Sequence, residues 1–105
     1  FDEIQTGIAK TGKWFACEHW NVVPDILTIG KAITAAYLPL GVTMTTPEIY
    51  SVFRKSGSEF RSGSTFGGHA ASCVAALKTP EIIERDNLIP YNTKHTQQQH
   101  CSSCT

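Results

Sequence analysis

The stretch Pro24-Asp25-Ile26-Leu27-Thr28-Ile29-Gly30-Lys31 decides how this chain folds. Pro24 and Asp25 open a short apolar run, which predicts a buried β-strand over residues 26–29. Gly30 then frees the backbone just before Lys31. Such a strand would hold the Lys31 amine still and keep water away from it, so we interpret Lys31 as a reactive group rather than a solubilising charge.

A second strand end lies near the start of the chain. Residues 1–4 predict the end of a buried strand that carries Asp2, 29 positions before Lys31, and a loop punctuated by glycines follows over residues 7–12. Two neighbouring strand ends would bring one amine and one carboxylate together. A fixed amine beside a fixed acid is typical of carbonyl or cofactor chemistry.

Further strands and helices alternate along the chain, which indicates an α/β fold. Residues 37–44 predict a turn and a short strand. Thr46 as N-cap and Pro47 at the first helical position then predict a helix that Gly57 ends. Its apolar side would consist of Ile49, Tyr50, Val52 and Phe53.

The second half of the chain predicts a loop and two helices. Residues 62–68 form a polar loop, and the alanine-rich residues 69–77 predict a helix. Pro80 interrupts this helix, because an interior proline loses a hydrogen bond and costs about 3 kcal/mol. With Thr79 as a new N-cap, a second helix would restart there and carry Ile82, Ile83 and Leu88.

Composition limits the classes of function. The chain has 105 residues, of which 41% are hydrophobic and 17% charged, as in one small globular domain. Nine basic and nine acidic residues give no net charge, and no basic run argues for nucleic acid or an anionic membrane as a partner. No apolar stretch approaches the length of a membrane span, so we expect a cytoplasmic protein. Because the chain begins at Phe1, inside a predicted strand, we expect a fragment of a larger protein.

The cysteines and the tail offer a different class of hypothesis. Cys17 and Cys73 lie in mixed or apolar runs and predict small buried hydrophobic residues rather than a disulfide framework. Residues 91–105 have little to pack and predict a disordered tail or a segment foreign to the rest of the protein. The tail contains four potential zinc ligands, His95, His100, Cys101 and Cys104. They crowd into ten residues without a hydrophobic framework, so we predict no metal site.

Several motifs occur in an order that resembles one enzyme family. They are Phe1-Asp2-Glu3-Ile4-Gln5-Thr6-Gly7, Lys10-Thr11-Gly12-Lys13, Phe15-Ala16-Cys17-Glu18-His19-Trp20, residues 24–31, Tyr37-Leu38-Pro39-Leu40-Gly41 and Gly63-Ser64-Thr65-Phe66-Gly67-Gly68. Together they resemble the class III aminotransferases, which use pyridoxal 5'-phosphate on the fold type I scaffold. The resemblance implies that residues 1–90 are part of the large cofactor-binding domain, with a mixed, mostly parallel sheet flanked by helices, and that residues 91–105 lie outside it.

The resemblance also implies a role for five residues. Lys31 would form a Schiff base with the cofactor aldehyde and act as general acid and base. Asp2 would sit against the pyridine nitrogen, and Ile4 would lie against one face of the ring. Gln5 would reach the phenolic oxygen of the cofactor. Thr65 would bind the phosphate, in this family usually from the partner subunit of a homodimer.

The implied reaction is transamination, from an amino acid or ω-amine to a keto acid, as part of a larger enzyme. The alternative is a truncated, non-catalytic product, and we expect the isolated chain to be inactive or weakly active. Taken one at a time, the residues have simpler interpretations: Lys31 as a solvated loop residue, Asp2 as a cap, Glu3 as a plain strand residue and His69 as a helix cap.

Overall fold

The computed structural model describes residues 1–55 and 57–91. Within these ranges, strand β1 spans Ile26–Ile29 and β2 spans Val42–Thr45, and helix α1 spans Pro47–Phe53 and α2 spans Ala70–Arg85. Short 3-10 helices cover Ala16–Trp20 and Lys31–Thr34. Residues 88–91 are also helical. The described residues thus combine strands and helices, as expected for an α/β chain, but both α-helices follow the two strands rather than alternating with them.

The sheet of the described residues has two strands, β1 and β2, and residues 1–3 lie beside β1. On one side β1 pairs antiparallel with β2, from Ile26 opposite Thr45 to Ile29 opposite Val42. On the other side residues 1–3 run parallel to β1, and Asp2 forms an isolated bridge with Thr28. The strand predicted over residues 1–4 is therefore reduced to one bridge. The chain turns immediately afterwards, and the Gly7 N–H donates to the Glu3 carbonyl oxygen at 2.9 Å.

The core lies between β1, the first turn and α2. It consists of the buried side chains of Ile8, Ala9, Leu27, Ile29, Ile33 and Ile83. Burial alternates along β1, because successive side chains of a strand point to opposite faces, so Leu27 and Ile29 are buried while Ile26 is exposed. Helix α2 packs on the 3-10 helix that begins at Lys31. The core thus supports the chain on which Lys31 lies.

The predicted break at Pro80 is wrong, since α2 continues through it to Arg85. Pro80 has no N–H to donate to the carbonyl four residues earlier, but Ala76 and Ile83, on either side of it, pack in or against the core. The Thr79 hydroxyl does not cap a new helix and instead donates to the Ala75 carbonyl oxygen at 3.0 Å. Core packing therefore outweighs the lost hydrogen bond.

His69 is the N-cap of α2, as its simpler interpretation predicted. Its Nδ1 accepts a hydrogen bond from the Ser72 backbone N–H at 3.4 Å. A cap of this kind satisfies one of the N–H groups that the first turn of a helix leaves without an intrahelical partner.

Helix α1 is shorter than predicted: it ends at Phe53, whereas Gly57 was expected to end it. The Ser51 hydroxyl donates to the Glu48 carbonyl oxygen at 2.7 Å, and the Arg54 N–H closes a tight last turn on the Ser51 carbonyl at 3.2 Å. No residue of α1 is buried within the part of the chain that the structure describes, and Tyr50, Val52 and Phe53 are exposed. Its apolar side therefore does not contribute to this core.

The described residues bear on the predictions for the cysteines, the tail and membrane spans. Cys17 is buried, Cys73 is half-buried, and both are free thiols. The predicted disordered tail and the zinc ligands His95, His100, Cys101 and Cys104 lie outside the described residues. Among residues 1–55 and 57–91, no helix is both long and apolar enough to cross a membrane.

Candidate active site

An open groove of about 880 Å³ lies where the chain leaves β1. Its polar side chains are those of Gln5, Lys10, Lys31, Thr79 and Tyr91. Its apolar wall consists of Ala35, Ala36, Ile82, Ile83 and Leu88 together with Ile8 and Ala9. A groove with an apolar wall and a few polar groups on one side is typical of small-molecule sites.

Lys31 contacts Gln5 directly in this groove. The Lys31 Nζ donates to the Gln5 Oε1 at 3.3 Å. The two strand ends were expected to bring the Asp2 carboxylate to this amine, but Asp2 is not among the described residues that line the groove. The Lys31 side chain is exposed, however, and the prediction that β1 would keep water away from it is wrong for the residues described. The groove is open on this side, so β1 holds the backbone of Lys31 but does not cover its amine.

The backbone of Lys31 adopts an unusual conformation. Its φ of +42° lies in the left-handed region, which costs residues other than glycine roughly 1–2 kcal/mol. Gly30, expected to provide the conformational freedom, has φ −167°, an extended value that any residue adopts. The turn that presents the lysine is therefore made by the lysine itself. Residues in sparsely populated conformations cluster at functional sites.

Asp2 and Ile4 lie at the same end of β1 as Lys31. Asp2 is exposed, and its Oδ1 accepts a hydrogen bond from the Ile4 backbone N–H at 2.9 Å. Ile4 is 37% exposed, and its Cγ2 lies 3.4 Å from the position that a β-carbon on Gly30 would occupy. The Ile4 side chain thus lies over Gly30, next to the lysine.

Thr65 makes no contact with Lys31 or Gln5 among the hydrogen bonds of the described residues. It belongs to an exposed loop before α2 and is not among the residues of the described chain that line the groove. The structure therefore brings Lys31 and Gln5 into contact in the groove and puts Ile4 against Gly30. Asp2, Ile4 and Thr65 are not among the described residues that line the groove.

Glu3 is a residue that the sequence analysis undervalued. Its side chain is only 2% exposed, and its Oε1 accepts from the Cys17 backbone N–H at 2.8 Å while its Oε2 accepts from the Thr6 hydroxyl. Burial opposes ionisation of this carboxyl, but the hydrogen bonds from Thr6, Cys17 and Ala16 outweigh that effect and lower the pKa of Glu3. A threonine three positions after a strand glutamate was the one local signal for this arrangement.

Cys17 shares this buried environment. Burial raises the pKa of the Cys17 thiol, and the negative charge of Glu3 raises it further. The thiol therefore stays protonated and behaves as the small buried hydrophobic residue that the sequence predicted.

Comparison with known proteins identifies the family of this chain. The class III aminotransferase family model matches residues 1–101. A taurine–pyruvate aminotransferase from Bilophila wadsworthia is 42% identical over 97 residues, covering 89% of this chain and 21% of the relative. The structure of a Bacillus anthracis aminotransferase matches with a TM-score of 0.87 and 44% identity, over 92% of this chain and 22% of that one.

A third relative is an ornithine aminotransferase from Toxoplasma gondii, whose structure was described with partial occupancy of pyridoxal phosphate at the active site. It matches with a TM-score of 0.73 and 36% identity, over 85% of this chain and 20% of that one. The chain thus spans about a fifth of the length of these relatives. The fold is that of the fold type I transferases, and the chain belongs to the class III aminotransferase family, whose members depend on pyridoxal phosphate.

Proposed function

We propose that this chain forms one wall of the cofactor site of a transaminase, which moves an amino group from an amino acid or ω-amine to a keto acid. The contact between Lys31 Nζ and Gln5 Oε1 carries this proposal, because it puts a reactive amine and an orienting amide in one groove. The names of the relatives support the reaction class, and the Bilophila wadsworthia relative is a taurine–pyruvate aminotransferase.

The residues present fit pyridoxal 5'-phosphate chemically. Lys31 offers an accessible primary amine for its aldehyde, and Gln5 offers an amide for its phenolic oxygen. Asp2 offers a carboxylate for the pyridine nitrogen, and Ile4 offers an apolar surface for the ring. When bound, the cofactor draws electrons away from the α-carbon of the substrate, so that a proton on that carbon becomes labile.

Lys31 would have two tasks. Its Nζ would hold the cofactor and, once released from it, would accept the labile proton and later return it. The core supports this work, because Ile29 and Ile33 are buried on either side of the lysine and hold its backbone. A reacting group must be held in position for proton transfer to be efficient.

Asp2 and Gln5 would orient the cofactor. The Asp2 carboxylate would hold a proton on the pyridine nitrogen, and the Ile4 N–H fixes the direction of that carboxylate. The Gln5 amide already contacts Lys31, so it can align the amine before the cofactor binds. Both residues act as binding groups and neither transfers the substrate proton.

Thr65 supports a proposed homodimer. This residue belongs to an exposed loop and is not among the described residues that line the groove of its own chain, so its hydroxyl is proposed to bind a cofactor phosphate in the site of a partner subunit. The cytoplasmic location expected from the sequence is likewise proposed.

Amino transfer by the protein in the presence of pyridoxal 5'-phosphate, an amine donor and a keto acid tests this function. Lys31→Ala should lower the rate roughly 10²–10⁴-fold, the usual contribution of a general acid–base group. Lys10→Ala is the matched control, because Lys10 lines the same groove. Equal transfer by Lys31→Ala would contradict the assignment, and no transfer by the wild-type protein would favour the alternative of a non-catalytic product.

A further inference from the structure

A buried carboxylate lies directly behind the proposed cofactor wall. Glu3 stands between Asp2 and Ile4 in the sequence, but it is 2% exposed whereas both neighbours are exposed. This alternation puts the two proposed cofactor-binding side chains on the outside and the carboxylate inside. Glu3 itself is not among the residues that line the groove.

Glu3 joins two segments that are distant in the sequence. Its Oε2 accepts from the Thr6 hydroxyl in its own turn, and its Oε1 accepts from the Cys17 N–H at 2.8 Å, in the first turn of the 3-10 helix Ala16–Trp20. Its backbone N–H donates to the Thr28 carbonyl oxygen of β1 at 2.8 Å. Glu3 is therefore bound to β1, to its own turn and to the 3-10 helix at once.

This anchoring acts on the turn that carries Gln5. The Glu3 carbonyl accepts from the Gly7 N–H at 2.9 Å, so residues 3–7 form one hydrogen-bonded turn with Gln5 in its middle. Because Gln5 contacts Lys31 across the groove, a displacement of this turn would shift the amide away from the amine. A hydrogen bond is sensitive to displacements of a few tenths of an ångström.

We propose that Glu3 is a positioning residue, which holds the turn of residues 3–7 against the 3-10 helix Ala16–Trp20 so that Asp2, Ile4 and Gln5 are pre-arranged for the cofactor. This inference rests on the proposed function. The ionised form of Glu3 suits this arrangement, because both carboxylate oxygens accept hydrogen bonds, one from the Thr6 hydroxyl and the other from the Cys17 N–H. The lowered pKa of Glu3 agrees with this, since it keeps both oxygens unprotonated at neutral pH.

Glu3→Gln removes the negative charge of the side chain and leaves its volume nearly unchanged. The amide keeps the size of the carboxylate, but its NH₂ group would face a donor where an acceptor was, and one buried donor would lose its partner. Glu18→Gln is the matched control, because Glu18 lies in the same 3-10 helix and its Oε1 also accepts a backbone N–H, from Phe15 at 2.7 Å, but its side chain is exposed.

The test is titration of the protein with pyridoxal 5'-phosphate, followed by the absorbance of the cofactor, at a temperature where circular dichroism shows each variant folded. Glu3→Gln should weaken binding by about tenfold or more, the loss expected for one hydrogen bond to a charged group, and Glu18→Gln by less than about twofold. Glu3→Asp, which keeps the charge, should recover part of the affinity. If Glu3→Gln does not fold, Thr6→Val removes one donor and should weaken binding in the same direction.

Hydrogen exchange without the cofactor separates this inference from the proposed function. Faster exchange of the amides of residues 4–7 in Glu3→Gln than in Glu18→Gln would support the positioning role, even if the wild-type protein bound no cofactor. A wild-type protein that bound no cofactor would overturn the proposed function alone. Wild-type binding and unchanged exchange in the folded variants Glu3→Gln and Thr6→Val would overturn the positioning role.

Discussion

Gly7 closes the turn that carries Gln5, and replacing it with alanine tests the geometry of this wall. A β-carbon on Gly7 would lie 2.7 Å from the Glu3 carbonyl oxygen and 3.3 Å from the Glu3 Cβ. The first distance is 0.3 Å inside the 3.0 Å limit that β-carbons respect. The neighbouring atom belongs to the backbone, and its carbonyl already accepts the Gly7 N–H, so it cannot rotate away.

The expected cost follows from this contact. Adding one methyl group to a close-packed, buried position typically costs about 1–3 kcal/mol, because the surrounding backbone must shift. We expect Gly7→Ala to lower the free energy of unfolding by about that amount. The same shift moves the turn that holds Gln5, so cofactor affinity should fall as well.

Equilibrium urea unfolding of the wild-type and variant chains measures the effect. Gly41→Ala is the matched control, since no atom lies within 4 Å of the position of its added β-carbon. The control should be neutral or gain up to about 1 kcal/mol, because alanine restricts the unfolded chain more than glycine does. Equal unfolding free energies for Gly7→Ala and the wild type would refute the close contact on which this reasoning depends.

Three further predictions concern the rest of the chain. Ala36 has φ +62°, a left-handed conformation that strains alanine more than glycine. Ala36→Gly should therefore raise the free energy of unfolding by about 0.5–1 kcal/mol, because the backbone strain removed exceeds the entropy that glycine adds to the unfolded chain. A lower free energy of unfolding in urea would contradict this conformation. Pro80→Ala should stabilise the protein by about 1–3 kcal/mol, because alanine restores a backbone N–H inside α2. Thermal unfolding measures this effect, and an unchanged melting temperature would contradict the prediction. Folding lowers the pKa of Glu3, so ionised Glu3 stabilises the folded chain. This stabilisation is fully present above the pKa of glutamate in the unfolded chain, about 4.3, and is lost as the pH falls through the lower pKa of the folded chain. The unfolding free energy of the wild type should therefore fall more steeply in acid than that of Glu3→Gln, and parallel profiles would contradict it.

Local pattern sufficed to predict much of this structure. Strand β1 was predicted over the residues it occupies, because a short apolar run bounded by Pro24 and Lys31 leaves little choice of secondary structure. The two strand ends were expected to bring the Asp2 carboxylate to Lys31, whereas the structure shows the Gln5 amide at this amine. The family was evident from the order of its motifs rather than from any one of them.

Tertiary packing explains the errors. The helix was predicted to break at Pro80 because proline lacks a backbone N–H. Contacts of Ile83 with a core assembled from distant segments instead keep α2 continuous past Pro80. The burial of Glu3 depends on the N–H of Cys17, 14 residues away, which no local pattern reveals. The exposure of Lys31 likewise depends on which elements cover the groove, and a strand alone does not determine that.

The central claim is that Lys31 holds pyridoxal 5'-phosphate. Reduction of the protein with borohydride in the presence of the cofactor, followed by mass spectrometry of proteolytic peptides, tests it most directly. We predict that the cofactor is fixed to the peptide containing Lys31, that Lys31→Ala abolishes this product and that Lys10→Ala leaves it unchanged. Labelling of folded wild-type protein at other lysines, or equal labelling of the same peptide in Lys31→Ala, would contradict the claim.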